Sequence, residues 1–255
     1  MTTLVRPLVH RPHATMRLLC LPYAGGGASA YRGWAAELPA DIELWAVQPP
    51  GREDRVLTPP IDRMDDLLNA LVPAVVPHLD RPFALFGHSM GAVVAWELAR
   101  ALQQLEAGSP VRLFVSGCVP PQIRDVPEPP LHTLSDAELG DRLREWGATP
   151  EAVLADPELM ALFLPVIRAD LAVVENHVYR AAPLLTCPVS AFGGVDDGDV
   201  GDAVLARWSE TTTGPSDCRM FPGDHFFLHS ARTAVLEDIT DRLGAVSSYG
   251  KGGTA

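Results

Sequence analysis

Six apolar runs of strand length alternate along this chain with segments of helix length, and this alternation most constrains its fold. Most of the runs are continuous, which is typical of strands covered on both faces of a parallel sheet. The pattern predicts an α/β fold built on a mostly parallel, doubly wound sheet. The predicted strands are 16–21, 43–47, 83–86, 111–116, 188–192 and 217–221, and the predicted helices lie near 31–38, 62–79, 90–106, 199–212 and 229–244.

One connection is too long for a simple crossover. The chain from 116 to 188 runs for about 70 residues, whereas a crossover between parallel strands needs about a dozen. Within it, Ser135 and Glu138 have the spacing of a helix capping box. Pro150 and Pro157 are predicted to occupy first helical positions, each after a capping residue. Apolar residues then recur at helical spacing, at Leu164, Ile167, Leu171, Val174 and Val178.

This insertion is interpreted as a helical lid. Ligands of α/β sheets bind in the crevice at the carboxyl ends of the strands, and an insertion after a strand tends to cover it. A helical insertion remote from any site remains the alternative. The predicted organisation is a core formed by 1–117 and 186–246, a lid at 118–185 and a flexible tail at 247–255.

Composition excludes several classes of protein. The 255 residues, 47% of them hydrophobic, suffice for one α/β domain with a substantial core. A net charge of −12 argues against nucleic acid as a partner. No apolar stretch approaches the roughly 20 residues of a membrane span, and the first residues lack the features of a signal peptide. The widely spaced cysteines are expected to be reduced thiols of a cytoplasmic protein; they are Cys20, Cys118, Cys187 and Cys218.

The stretch "FGHSMGAVVAW" places Ser89 in the pattern G-x-S-x-G, between a predicted strand and a predicted helix. This is the context of a nucleophile elbow, in which the serine lies on a strained turn. The residues two positions before and after it must be small, and here they are Gly87 and Gly91. We predict that Ser89 is a nucleophile and interpret His88 as a turn residue.

A serine nucleophile needs a base, and in folds with this elbow an acid and then a histidine follow later in the chain. His225 follows the last predicted strand, in "MFPGDHFFL", and is the predicted base, with His229 as the alternative. The orienting acid is expected in the loop after strand 188–192. Asp197 is the predicted acid, and Asp196 is the alternative.

The glycine-rich stretch "LPYAGGGASAY" follows the first predicted strand. It is expected to supply one backbone N–H of an oxyanion hole, at Ala24, with the second from Met90. The stretch also fits a relaxed dinucleotide fingerprint, but Gln48 stands near the position that should be acidic. The aspartate-rich loop fails the EF-hand pattern, and no Cys/His cluster has zinc spacing. We therefore predict neither a nucleotide site nor a metal site.

Several motifs together resemble the type II thioesterases, the stand-alone enzymes that accompany modular polyketide synthases and nonribosomal peptide synthetases. The resemblance covers about residues 16–240 and rests on "PYAGGGASAYRGW", "QPPGRE", "LFGHSMGAVVAWELA", "LADPELMALFLPVIRADLAVVE" and "FPGDHFFL". The elbow motif is shared by many hydrolases, whereas the long lid stretch together with "GDHFFL" is more specific. The loop "GGVDDGDV" is more acidic than is usual in the family, which leaves the choice between Asp197 and Asp196 open.

The resemblance implies an α/β-hydrolase fold and hydrolysis of acyl groups from the phosphopantetheine arm of acyl or peptidyl carrier proteins. This activity clears stalled or wrongly primed units. The chain is expected to need no cofactor, because the phosphopantetheine belongs to the partner, and to be a monomer. Candidate substrate-contacting residues are Tyr23, Leu164, Ile167, Leu171 and Phe226; the alternative for the three lid residues is plain helix packing.

Arginines of the insertion are candidates for docking a carrier protein, although pairing with nearby carboxylates is the commoner role of such residues; they are Arg124, Arg142, Arg144 and Arg168. An esterase or acyltransferase acting on small esters would share the same catalytic residues. A non-catalytic carrier-binding protein is the second alternative.

Overall fold

The computed structural model, which describes residues 3–147, 149, 151–181 and 183–249, contains one seven-stranded sheet. The strands are β1 (Val5–Pro7), β2 (Met16–Leu21), β3 (Ile42–Val47), β4 (Phe83–His88), β5 (Arg112–Ser116), β6 (Val189–Gly194) and β7 (Ser216–Phe221). The helices are α1 (Met64–Val75), α2 (Met90–Gln104), α3 (Asp136–Trp146), α4 (Glu151–Leu154), α5 (Pro157–Glu175), α6 (Asp202–Ala206), α7 (Phe227–Ser230) and α8 (Arg232–Tyr249).

The sheet has the order β1–β3–β2–β4–β5–β6–β7. Strands β2 to β7 pair in parallel, as predicted, whereas β1 pairs antiparallel with β3. Strand β1 was not predicted, because its three residues include Arg6 and Pro7 and form no apolar run. Because these strands are parallel, the carboxyl ends of β4, β5, β6 and β7 lie side by side, and the loops that follow them meet there.

Apolar layers cover both faces of the sheet, which confirms the doubly wound arrangement. On one face, Leu19, Leu85 and Val115 pack with α1 and α2. On the other, Leu18 and Phe86 pack with the segment that follows β2 and with α8. Strands β2, β3, β4 and β6 are buried along their whole length, which explains their continuous apolar sequences.

Several predicted helices differ in kind or extent. The helix expected at 31–38 is a 3₁₀ helix over Ala28–Ala36 that contains Gly33, a residue of low helix propensity. The helix expected at 62–79 ends as α1 at Val75, and a short 3₁₀ turn containing Pro77 follows.

Two predicted helices of the C-terminal region are each divided. The helix expected at 199–212 consists of α6 and a 3₁₀ helix over Arg207–Thr211. The helix expected at 229–244 is divided into α7 and the longer α8.

Three helices, α3 to α5, lie within the insertion between β5 and β6. The capping box at Ser135 and Glu138 is present, and Asp156 caps α5 with Pro157 as its first residue. The helix expected from the apolar periodicity does not extend to Val178, because α5 ends at Glu175 and Val178 is 73% exposed.

Two predictions, the helix start at Pro150 and the tail at 247–255, concern residues that the structure describes only in part or not at all. Pro150 lies outside the described residues. Of the predicted tail at 247–255, the first three residues form the end of α8, and 250–255 lie outside the described residues.

Two features bear on the predictions from composition. No helix among the described residues is long and apolar enough to cross a membrane. The cysteines are free thiols. Burial raises the pKa of Cys118 and that of Cys187 to about 11.

Candidate active site

Ser89 lies at a sharp corner between β4 and α2. Its φ of 54° and ψ of −119° are a strained combination for a residue with a side chain. The corner is so tight that a Cβ on Gly87 would lie 2.0 Å from Gly91 O, and a Cβ on Gly91 would lie 2.2 Å from Leu21 O. The Ser89 N–H donates to Ser116 O at 2.8 Å, which ties the corner to the end of β5. The structure therefore has the geometry of a nucleophile elbow with a partly exposed serine.

His225 and Asp197 are brought together by the neighbouring strands β6 and β7. His225 Nδ1 lies 2.8 Å from Asp197 Oδ2. The Asp197 side chain is 3% exposed and that of His225 is 26% exposed. Asp196 is exposed, and its backbone N–H donates to Gly223 O. Of the two aspartates considered from the sequence, Asp197 is thus the one that contacts the histidine.

The environment of Asp197 keeps its carboxylate charged. Burial raises its pKa, but the hydrogen bond and charge of His225 and the N–H groups of Asp199 and Val200 outweigh that effect, so its pKa lies below the usual value. An ionised Asp197 accepts a hydrogen bond from His225 Nδ1–H, which leaves Nε2 without a proton and free to act as a base.

His229 has a different partner. It lies on α7, exposed, with its Nε2 3.2 Å from the Tyr23 hydroxyl. Phe226 packs between the two residues considered as bases, with its ring centroid 5.0 Å from that of His225 and 6.3 Å from that of His229. Phe226, which was predicted to contact substrate, therefore lies beside His225. Tyr23, the second such residue, packs against Phe226 with ring centroids 5.1 Å apart.

His88 has a role that the sequence did not reveal. It is the last residue of β4 and is fully buried, with Nδ1 2.9 Å from Ser116 Oγ and its ring centroid 5.1 Å from that of His225. Burial lowers the pKa of His88 well below its usual value, and the neighbouring His225 and His229 act in the same direction. His88 is a neutral packing group behind His225.

The predicted oxyanion donors lie on a turn and at a helix end. Gly26 N–H donates to Tyr23 O at 2.9 Å, and Gly25 has a φ of 78°. A positive φ at the third position is the mark of a type II turn, in which Ala24 is the second residue. Met90 is the first residue of α2, where backbone N–H groups lack partners within the helix.

The three lid residues predicted to line an acyl chamber are buried against other lid residues. Leu164, Ile167 and Leu171 form one apolar cluster with side chains of α3 and α4. Ala24 packs against the same cluster. Helix packing, the alternative interpretation, therefore describes their contacts in this structure, and α5 reaches the turn that carries Ala24.

The four arginines of the insertion make local contacts. Arg142 and Arg144 pair with Glu145 and Asp141 on their own helix. Arg168 Nη2 lies 2.6 Å from Asp136, and Arg124 Nη1 donates to Val174 O. These contacts favour local pairing over a docking role.

A surface cavity of about 520 Å³ lies beside Phe226, the residue that follows His225. Its lining includes Gly147 at the end of α3, Asp196, Asp224, Phe226 and His229. The cavity thus lies between the insertion and the loop that carries the histidine. Among the described residues, no group of three or more His, Cys, Asp or Glu side chains is arranged to hold a metal ion.

Sequence reasoning missed a buried ion pair next to the predicted oxyanion turn. Arg52, in the loop after β3, binds Asp170 of α5. A signal was present: Asp170 lies three residues after Ile167 and directly before Leu171, so it places a charge on the apolar face of α5.

Comparisons with known proteins find relatives along nearly the whole chain. The thioesterase domain family matches residues 16–243. The gramicidin S biosynthesis protein GrsT of Aneurinibacillus migulanus is 40% identical over 233 residues, which is 91% of each chain. The type II thioesterase BorB from the borrelidin biosynthetic cluster superposes with a TM-score of 0.85 at 40% identity, covering 94% of this chain and 97% of BorB.

The thioesterase RedJ from the prodiginine biosynthetic pathway of Streptomyces coelicolor also has a TM-score of 0.85. It is 37% identical and covers 91% of this chain and 92% of its own. The predicted α/β-hydrolase fold and the predicted relationship are confirmed. The chain belongs to the thioesterase family, as a type II thioesterase of the kind found with polyketide and nonribosomal peptide pathways.

Proposed function

We propose that this thioesterase hydrolyses acyl groups from the phosphopantetheine arm of an acyl or peptidyl carrier protein, with Ser89, His225 and Asp197 as its catalytic residues. The observation that carries the residue assignment is the 2.8 Å bond between His225 Nδ1 and Asp197 Oδ2, next to the strained corner at Ser89. The partner class is supported by the relatives, whose names assign them to antibiotic and related biosynthetic pathways.

The proposed reaction has two halves. Ser89 Oγ attacks the thioester carbonyl carbon while His225 Nε2 takes the hydroxyl proton. The carbonyl oxygen becomes an oxyanion that accepts from the N–H groups of Ala24 and Met90, each such donor being worth about 3–4 kcal/mol. The C–S bond then breaks, and the pantetheine sulfur leaves with the proton from His225. His225 then takes a proton from water as the water oxygen attacks the acyl-serine carbonyl carbon. The ester C–O bond breaks, His225 returns the proton to Ser89 Oγ, and the free acid leaves.

The cavity beside Phe226 is the proposed entrance for the pantetheine arm. It lies at the surface, and Phe226 in its lining contacts the proposed base His225, with ring centroids 5.0 Å apart. The arm and its thiol are part of the carrier protein, so we propose that the enzyme needs no cofactor of its own. Removal of a stalled acyl unit then requires only binding of the loaded carrier and hydrolysis.

Changing the nucleophile tests this proposal. Ser89→Ala is expected to abolish labelling by a fluorophosphonate and to reduce hydrolysis of an acyl-carrier thioester by more than about 10⁴-fold. Ser209→Ala, which removes an exposed hydroxyl bonded to Ala206 O, is the matched control and should retain both activities. Turnover that persists in Ser89→Ala would contradict the assignment.

The same assay separates the remaining candidates. An esterase or acyltransferase of the same fold would turn over a free oxygen ester with a higher kcat/KM than the carrier thioester bearing the same acyl group. A non-catalytic carrier-binding protein would bind the carrier without labelling at Ser89. We expect the carrier thioester to have the higher kcat/KM.

A further inference from the structure

Arg52 and Asp170 form a buried ion pair between the loop after β3 and helix α5. Arg52 Nη1 lies 2.5 Å from Asp170 Oδ2, and Nη2 lies 2.8 Å from Oδ1. The two side chains are only 6% and 5% exposed. Desolvating two charges often costs more free energy than their attraction returns, so such a pair is weak evidence for stability alone. Its contacts with the neighbouring backbone point to another role.

Both members of the pair hold the turn that carries Ala24. Gly25 N–H donates to Asp170 Oδ2 at 2.7 Å. Arg52 Nη1 donates to Gly26 O at 2.9 Å. Gly25 N–H belongs to the central peptide of the type II turn, and a flip of that peptide would remove its bond to the carboxylate. Two consecutive residues of the turn are therefore fixed from the side chains of Arg52 and Asp170.

Helix α5 also packs directly against this turn. A Cβ on Gly25 would lie 3.1 Å from Ile167 Cγ1. Ala24 packs against the apolar cluster that includes Ile167 and Leu171. Asp170 thus reaches the turn from a helix that is already in contact with it, and the position of α5 sets the position of the turn.

We propose that Arg52 and Asp170 are positioning residues for the oxyanion hole, an inference that rests on the proposed function of Ser89 and Ala24. The pair holds the turn so that Ala24 N–H points to the place where negative charge develops. An oxyanion donor acts only when it is preorganised, and a displacement of about 1 Å near a reacting group can cost about 100-fold in rate.

Asp170→Asn is the first test. The amide keeps the size of the side chain but removes the charge that pairs with Arg52. Expected is a fall in kcat of about 10- to 100-fold with KM within about twofold of the wild type. The rate of fluorophosphonate labelling should fall by a similar factor, because that reaction also develops charge on an oxygen in the same hole.

Glu43→Gln is the matched control. Glu43 is equally buried and pairs with Arg17 at 3.0 Å. This pair lies at the amino ends of β2 and β3, whereas Ser89 lies at the carboxyl end of β4. This change is expected to lower the unfolding midpoint while kcat and the labelling rate stay at wild-type values. If Asp170→Asn affects kcat no more than Glu43→Gln does, the proposal is wrong.

A double variant separates positioning from stability. Arg52→Met with Asp170→Leu removes both charges, and apolar replacement of a buried pair is often neutral or stabilising. We expect the unfolding midpoint to recover relative to Asp170→Asn while kcat remains low. Recovery of kcat together with stability would show that the pair is only structural.

A fallback variant and a separate readout complete the test. If Asp170→Asn does not fold, Arg52→Lys retains the charge but loses the two-pronged contact, and the same criteria apply. If the proposed function itself is wrong, the Ser89→Ala variant will still hydrolyse the carrier thioester. That result is distinct from any effect of Asp170→Asn.

Discussion

Two adjacent aspartates follow β6, yet only Asp197 is placed to orient a histidine. The turn that begins at Gly194 directs Asp197 N–H back to Gly194 O, and its side chain toward His225. Asp196 stays exposed. At the residue scale, the difference between the two carboxylates is therefore one of burial and direction rather than chemistry.

Asp197→Asn is expected to lower kcat by about 10⁴-fold, because an amide favours the wrong tautomer of His225. The change is nearly isosteric, so KM for the carrier-bound thioester should change little. Asp196→Asn is the matched control and should remain within about twofold of the wild type. Steady-state hydrolysis of one acyl-carrier substrate measures both variants, and a reversed result would assign the orienting role to Asp196.

At the element scale, the elbow depends on the close approach of α2 to the ends of β2 and β4. The glycines at 87 and 91 permit that approach, because a Cβ at either position would collide with backbone. Packing of β4 and α2 offsets the free-energy cost of the strained Ser89 backbone, since α2 is buried along most of its length.

Gly91→Ala is expected to lower the free energy of unfolding by about 2–3 kcal/mol, since backbone must shift to admit the methyl group. It should also reduce kcat by displacing Ser89. Gly244→Ala is the control: that glycine lies in α8 with no atom within 4 Å of an added Cβ, so alanine should raise stability by about 0.5–1 kcal/mol. Urea unfolding measures both, and equal effects would contradict the steric argument.

Burial explains why the central strands could be predicted from the sequence. Strands buried on both faces have continuous apolar runs, so β2, β4 and β6 were found. Strand β1 was missed because only Val5 of its residues is buried. The end of α5 was misplaced because the apolar spacing continues to Val178, beyond the last helical residue Glu175.

In the site, residues that belong to a sequence motif could be predicted, whereas a contact that depends on tertiary packing could not. Ser89 and its partners follow one another in a fixed chain order, so spacing and motif were enough to nominate them. The contact between Arg52 and Asp170 joins residues 118 positions apart in sequence. They come together only because α5 packs on the turn at Ala24, and no local sequence pattern predicts such a long-range contact.

At the scale of the whole molecule, one helix connects the insertion with the rest of the fold. The N-terminal half of α5 packs in the cluster of the insertion, through Leu164 and Ile167. Val173 and Val174, near its other end, belong to the apolar layer between the sheet and α2. Glu175 is buried and accepts from the N–H groups of Leu131 and His132. Val173 and Val174 thus join this end of α5 to the core, whereas Glu175 binds it to another part of the insertion, since Leu131 and His132 lie between β5 and β6.

The pH dependence of global stability should contain a contribution from His88. Its pKa is lowered by burial in the folded protein, so the unfolded chain binds a proton that the folded protein does not. Stability is then full above about pH 6.5 and falls as the pH drops below that value. His88→Gln should reduce this slope by up to about 1.4 kcal/mol per pH unit. Urea unfolding between pH 8 and pH 5 measures the difference, and parallel slopes would contradict a buried neutral His88.

Strand β1 has a consequence for association between molecules. An edge strand presents unpaired backbone groups that can template pairing with another chain. Here that edge is only three residues long and ends in Pro7, which has no N–H to donate. Arg6 on the same strand carries a charge that is paired with Asp54. An extended segment that approaches this edge of the sheet therefore has few backbone groups with which to pair, so β1 limits growth of the sheet at this edge.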